Sequence, residues 1–173
     1  TVYFSECILI FTSNLGLSRV LPDGTRENLV DSSATMEEIE RTVVNQLHKS
    51  WRPEFLNRMG NNIIIFDFIR KEQAKLILDK QIKQICDNLF EQKNIRILVS
   101  EDSEVYQSMY RSCCANLEFG GRGVRNVVEY DFITPLSREL SRRSWIAGDQ
   151  VCLEKIEKNE YESRFVYRIL NRS

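Results

Sequence analysis

The sequence predicts an α/β protein in which amphipathic helices pack on small sheets. Three observations point there. An unbroken apolar run, Ile8-Leu9-Ile10-Phe11, stops abruptly at Thr12-Ser13-Asn14-Leu15-Gly16, the pattern of a buried parallel strand that delivers small polar residues at its carboxyl end. Two later stretches, around residues 36–51 and 74–89, repeat apolar residues at helical spacing. Near the end, Val151-Cys152-Leu153 and Phe165-Val166-Tyr167-Arg168-Ile169 read as the strands of a hairpin.

After the strand at 8–11 comes a polar segment, 18–34, in which Pro22-Asp23-Gly24 signals a turn and Val20, Leu21, Leu29 and Val30 are available to pin a loop. Thr35 and Glu38 then form a capping-box pattern, and Met36, Ile39, Val43, Leu47 and Trp51 lay an apolar stripe along one helix. Pro53 ends that helix and restricts Arg52 to extended backbone, so Arg58 is expected on a stiff turn ahead of the apolar run 62–69. Ala74, Ile77, Leu78, Ile82, Ile85 and Leu89 mark a long helix, and Ile95-Arg96-Ile97-Leu98-Val99 a short strand. Ser100 is expected to cap a helix over 101–115, whose first turn carries Asp102 and Glu104 in accord with the helix dipole. A further helix over 121–141 has Val124, Val128 and Phe132 at a spacing of four, and Pro135 should kink or interrupt it. The charged stretch 154–162 reads as a solvated linker between the last two strands.

Three places invite chemistry. Arg58 follows a proline-stiffened segment, and its planar, permanently charged fork suits a phosphate. Asn14 stands at the carboxyl end of the first strand, where open α/β sheets bind ligands, although taken alone an Asn that only makes the turn is the commoner case. Arg122 lies in Phe119-Gly120-Gly121-Arg122-Gly123, at a helix start where the dipole favours acids over bases and where glycines admit close backbone approach. Other groups have plain structural readings. The acidic pairs Glu37-Glu38 and Glu101-Asp102 each fall in a first helical turn, and His48 sits beside an apolar stripe with no metal-ligand pattern near it. Met109 and the tyrosines around it follow helical core spacing, and Arg138, Arg142 and Arg143 form a solvated helix edge.

In order and spacing, Thr12-Ser13-Asn14-Leu15-Gly16, Arg52-Pro53-Glu54-Phe55-Leu56-Asn57-Arg58 and Gly120-Gly121-Arg122 resemble the sensor-1 strand, arginine-finger segment and sensor-2 motif of the Clp family of AAA+ unfoldases and disaggregases. The resemblance begins at Thr1-Val2 and runs through Pro135-Leu136 to Gly148-Asp149-Gln150-Val151, with the middle motif the most specific. It implies two domains. Residues 1–69 would be the carboxy-terminal part of a large ATPase subdomain, and residues 70–173 a small mixed α/β lid subdomain. It also implies roles: Asn14 as the sensor-1 polar residue, Arg58 as an arginine finger acting on the neighbouring subunit, and Arg122 as the sensor-2 arginine. One departure stands out. The family usually has Ala and Pro where this chain has Gly121 and Gly123, so a looser helix start is expected.

No Gly-x-x-x-x-Gly-Lys-Ser/Thr occurs, and no apolar strand ends in Asp-Glu, so a phosphate cradle and magnesium ligands are not supplied by these residues. The chain therefore reads as the second half of a catalytic unit and is expected to be inactive alone. The resemblance further implies ATP, with magnesium held outside this chain, as the ligand of the intact enzyme. The implied partners are the neighbouring subunits of a homo-hexamer and a polypeptide substrate, with a protease partner left open. Two other classes stay open: a non-catalytic scaffold built on the same fold, and a AAA+ motor acting on nucleic acid.

Composition bounds these readings. The 24 basic and 25 acidic residues give a net charge of −1, which offers no general attraction to nucleic acid or acidic membranes and argues against the nucleic-acid motor. Five cysteines without a C-x-x-C pair suggest reduced, packed thiols in a cytoplasmic setting rather than zinc or a disulfide framework. No apolar stretch is long enough to span a bilayer.

Overall fold

Apolar residues separate into two cores along the chain, one built around Ile39, Val43, Leu47 and Leu56, the other around Leu78, Met109, Val124, Phe132 and Leu153. The computed structural model describes residues 6–31, 33–142, 144–158 and 163–171. It divides into two units, Thr1–Phe68 and Ile69–Ser173. Expectations that touch Thr1, Val2, Arg143 and the 159–162 part of the linker lie outside the described residues.

In the first unit, the strands β1 (Ser18–Val20) and β2 (Arg26–Asn28) pair antiparallel. Between them is the expected turn, where Leu21 N–H donates to Thr25 O at 2.8 Å and Asp23 Oδ1 accepts from Thr25 N–H and Oγ1 at 2.9 and 2.6 Å. These bonds hold the Asp23 carboxyl below its ordinary range. The segment was expected only as a polar loop. Its hairpin escapes hydropathy because neither three-residue strand carries an apolar alternation. Buried Val30 then anchors the chain as it enters helix α1 (Met36–Ser50).

Helix α1 starts at the expected capping box: Glu38 N–H donates to Thr35 Oγ1, and Thr35 N–H to Glu38 Oε2 at 2.9 Å. Ile39, Val43 and Leu47 face inward. Arg52 is extended (φ −68°, ψ 140°) ahead of Pro53, as proline requires. In place of the expected stiff turn the chain forms a short helix, α2 (Pro53–Met59), because proline is well suited to the first helical position.

The strand expected at residues 8–11 is absent. Ile8, Leu9, Ile10 and Phe11 are 90, 65, 83 and 73% exposed, and only an isolated bridge, Leu15 to Ser18, forms nearby. A parallel strand exists only through a neighbour that completes its hydrogen-bond ladder, and among the described residues no ladder includes this segment. The residues around Ile64 and Phe66 (78 and 81% exposed) likewise belong to no ladder.

The second unit is a helical layer on a three-stranded mixed sheet. Helix α3 (Lys71–Lys93) buries Ala74, Leu78, Ile82 and Leu89 and ends at Asn94 in the left-handed region (φ 53°), a common helix terminus. Strand β3 (Arg96–Val99) leads to helix α4 (Glu104–Ala115), whose cap is Ser103 and not Ser100. Ser103 Oγ accepts from Tyr106 N–H at 3.2 Å, while the residues from Ser100 form the preceding turn, with Ser103 Oγ donating to Ser100 O. A 3₁₀ turn (Leu117–Phe119) precedes helix α5 (Gly120–Val128), a π-helical segment (Glu129–Ile133) and helix α6 (Thr134–Ser141). Pro135 thus interrupts the long helix as expected. It cannot donate an N–H, and its ring crowds the carbonyl four residues back, Asp131, which lies in the widened π turns.

Strands β4 (Gln150–Lys158) and β5 (Ser163–Asn171) form the terminal hairpin, and β3 joins β4 in parallel. The charged residues 154–158 are strand rather than linker, since alternate residues of β4 need only one buried face. Phe132 meets Phe165 edge-on at 6.0 Å, tying the π segment to the sheet. Met109 is fully buried and Tyr106 nearly so, with Tyr106 Oη donating to Asp79 Oδ1 at 2.6 Å, which is the core role expected of them. This mixed α/β arrangement is the predicted fold class.

All five cysteines are free thiols. Burial pushes the Cys86 and Cys113 thiols up to about 11, so roughly one in a thousand is thiolate at pH 8. Exposed Cys7 is the contrast. Alkylation of the native chain with iodoacetamide at pH 8 should label Cys7 first and reach Cys86 and Cys113 only on unfolding. Peptide mapping that finds all three modified at similar rates would contradict this packing.

Candidate functional site

Asn14 sits where the chain turns from the exposed 8–11 run toward β1. Ser13 Oγ accepts from Leu15 N–H at 3.0 Å, and Asn14 O accepts from Leu17 N–H at 3.3 Å. Gly16 completes the bend at φ +92°. A Cβ there would lie 2.9 Å from Val43 Cα, so the turn can press onto α1 only without a side chain. The Asn14 carboxamide is left exposed at the wall of a cavity of about 260 Å³, which Ser13, Leu17, Val43, Trp51 and Asn62 also line. It presents both a donor and an acceptor to whatever enters.

Arg58 lies in the last turn of α2. Buried Leu56 and the edge-on Trp51–Phe55 contact at 5.3 Å fix that helix. The guanidinium is exposed and, among the described residues, holds no ion pair or side-chain hydrogen bond. Its neighbours Asn57, Gly60 and Asn61 line a second cavity of about 580 Å³ together with Glu40 and His48. Arg58 itself lines neither of these two cavities. His48 is exposed, as expected.

In the second unit, Gly120 (φ +57°) closes the 3₁₀ turn by donating its N–H to Leu117 O, and α5 starts there. Val124, Val127 and Val128 are buried while Arg122 and Arg125 point outward, so the amphipathic stripe itself turns Arg122 to solvent. Like Arg58, it has no ion pair or hydrogen-bond partner among the described residues. The expectation of a loose helix start is not met. Gly123 is buried, and a Cβ on it would stand 2.4 Å from Asn116 O. The missing side chain permits close packing here and does not leave the backbone free.

Sequence reasoning used Gly148-Asp149-Gln150-Val151 only as a landmark and missed what Asp149 does. Asp149 is 1% exposed, and its Oδ2 accepts from Ile146 N–H at 2.9 Å while its carbonyl accepts from Arg96 N–H at 2.9 Å. The carboxylate therefore closes the turn before β4, while the backbone carbonyl ties that turn to the start of β3. An aspartate following glycine immediately before an apolar strand was the available signal. Among the described residues, no group of three or more His, Cys, Asp or Glu could hold a metal ion, and no helix is long and apolar enough to cross a membrane.

Residues 69–153 match the family model described as the C-terminal, D2-small domain, of ClpB protein. Similar sequences extend through the first unit as well. The chaperone protein ClpB of Staphylococcus epidermidis is 27% identical over 168 residues, 96% of this chain and 18% of that protein. ClpB of Staphylococcus aureus is 29% identical over 153 residues, 87% of this chain and 16% of that protein. Chaperone protein ClpB 1 of Synechocystis is 24% identical over 158 residues, 90% and 16% of the two. The chain thus spans less than a fifth of the length of these relatives. With the second unit matched by a ClpB domain model and both units matched by ClpB sequences, the chain belongs to the Clp-type AAA+ ATPases and corresponds to a carboxy-terminal part of one.

Proposed function

We propose that this chain supplies the nucleotide-sensing arginines of an ATP-driven, cytoplasmic Clp-type chaperone that unfolds or disaggregates polypeptides as a hexameric ring. Residues 1–69 would close the large ATPase subdomain, and residues 70–173 would be its lid. The observation that carries the reading is that Arg58 and Arg122, the two arginines the family motifs single out, are both exposed on helices and have no acidic partner among the described residues. Some other cations of the chain are engaged, Lys75 with Glu101 at 2.7 Å and Arg168 with Glu154. A guanidinium kept charged, oriented by its helix and unneutralised is suited to an incoming phosphate.

The roles follow from charge. When water attacks the γ-phosphorus and the bond to the β,γ-bridging oxygen breaks, negative charge spreads over the phosphoryl and leaving oxygens. Arg58, reaching across to the neighbouring subunit's nucleotide, donates its fork to that developing charge, an effect worth roughly 10³ to 10⁵ in rate for analogous arginine fingers. Asn14 uses its carboxamide to orient the attacking water or hold the γ-phosphate in its own subunit. Arg122 contacts the same nucleotide from the lid, so that loss of the γ-phosphate releases a lid contact and couples hydrolysis to lid movement. The 173 residues contain no P-loop lysine and no Asp-Glu strand end, so cradle and magnesium ligation are not theirs.

Two outcomes test this. The purified chain should show no ATP turnover; activity that survives stringent purification and copurifies with the chain would remove the half-site reading. In the intact ATPase, Arg58→Ala should lower kcat by roughly 10³ or more while leaving ATP affinity nearly unchanged, because the contact strengthens only as charge develops. Mixing that variant with subunits whose own phosphate cradle is disabled should restore some turnover. Freely exchanging rings that stay inactive would show that Arg58 does not act in trans.

A further inference from the structure

The first turn of α5 packs closely against Asn116, the residue that caps α4. A Cβ on Gly123 would lie 2.4 Å from the Asn116 carbonyl oxygen and 3.3 Å from Phe119 Cβ. Asn116 is poorly placed to yield. Its N–H donates to Cys113 O at 3.1 Å, its Nδ2 donates to Ser112 O at 2.7 Å, and its carbonyl accepts from Phe119 N–H at 3.1 Å. The body of α5 is held as firmly, since Val124 and Val128 are each 1% exposed. In this packing a side chain at 123 requires a shift of the first turn of α5 against the Asn116 carbonyl. That turn carries Arg122, which has no partner among the described residues to hold it in place. Alanine is ordinarily the better helix former, so the contact, and not helix propensity, calls for glycine.

We infer that Gly123 is a positioning residue for nucleotide: its bare Cα, seated on the Asn116 carbonyl, sets the direction in which α5 presents Arg122. This rests on the reading of Arg122 as a phosphate contact. Gly121 offers the natural control, because a Cβ there meets only the tip of the flexible Ile69 side chain, Cδ1 at 3.3 Å.

The experiment combines both levels. In the isolated chain, Gly123→Ala should lower Tm by roughly 5 °C or more, whereas Gly121→Ala should leave Tm within roughly 2 °C of the parent. In the intact ATPase, equilibrium binding of ATP should weaken roughly tenfold in Arg122→Ala, the loss expected of a charge-assisted contact, and by a similar factor in Gly123→Ala. The decisive measurement is the double variant. If Gly123 acts through Arg122, adding Gly123→Ala to Arg122→Ala costs less than about twofold further. A full additional tenfold loss in the double variant would show a merely structural glycine and overturn the proposal, as would Gly123→Ala binding ATP like the parent while Arg122→Ala binds weakly. Unchanged binding in Arg122→Ala would overturn the sensor reading itself, and the positioning role with it.

Discussion

The second unit depends on one continuous helical rod, residues 120–141, being driven against the sheet by its apolar stripe. Val124, Val128 and Phe132 are 0–1% exposed, and each contributes on the order of 1.5–3 kcal/mol through burial. A plain α-helix could not carry this stripe past Pro135, because proline removes one donor and pushes a carbonyl aside. The π turns at Glu129–Ile133 absorb that defect. They add the extra backbone that lets Phe132 reach Phe165 while Leu136, beyond the proline, still packs inward. The orientation of the rod fixes what lies at its start, the glycine-flanked turn with Arg122.

Stability and availability of charge are separate questions here. The pairs Lys75–Glu101 and Arg168–Glu154 are exposed ion pairs of the kind that add little to folding. Tyr106 illustrates the opposite regime. It is 3% exposed and donates to Asp79, and burial with that hydrogen bond pushes its hydroxyl well above the ordinary tyrosine range. It is therefore a neutral donor throughout the working range of pH. Arg58 and Arg122 belong to neither group. As exposed cations without a partner among the described residues they stay hydrated, which is why structural stability alone gives no reason to neutralise them.

How much was legible in the sequence depends on the range of the forces involved. The capping box at Thr35 and Glu38, the turn at Pro22-Asp23-Gly24 and the long stripe of α3 are local and appear where expected. Ser100 and Ser103 both precede acidic residues at cap spacing, so propensity alone cannot choose between them; the turn bond from Ser103 Oγ to Ser100 O does. The run at 8–11 failed for a different reason. Hydropathy reports that a segment wants a buried ladder, whereas a ladder requires a second strand that composition cannot supply. Of the candidate residues, the exposure of Arg122 was readable from the stripe it interrupts. The cavity that Asn14 borders was not, because its wall is completed by Val43, Trp51 and Asn62 from later in the chain.

The glycines of the fifth helix show how the same residue type supports opposite expectations. From sequence, Gly120-Gly121-Arg122-Gly123 suggests backbone freedom, since glycine gives up more entropy on folding than other residues. In the folded chain the three glycines differ. Gly120 takes a positive φ to close the 3₁₀ turn, Gly121 borders the movable tip of Ile69, and Gly123 is the point of closest approach between two backbones. Only the last couples helix placement to a neighbouring element, because a carbonyl held by its own hydrogen bonds is a rigid stop where a side-chain tip is not. A helix start that looks permissive by composition is thus held by the absence of a single methyl group. The arginine beside it takes its direction from α4 as much as from its own helix.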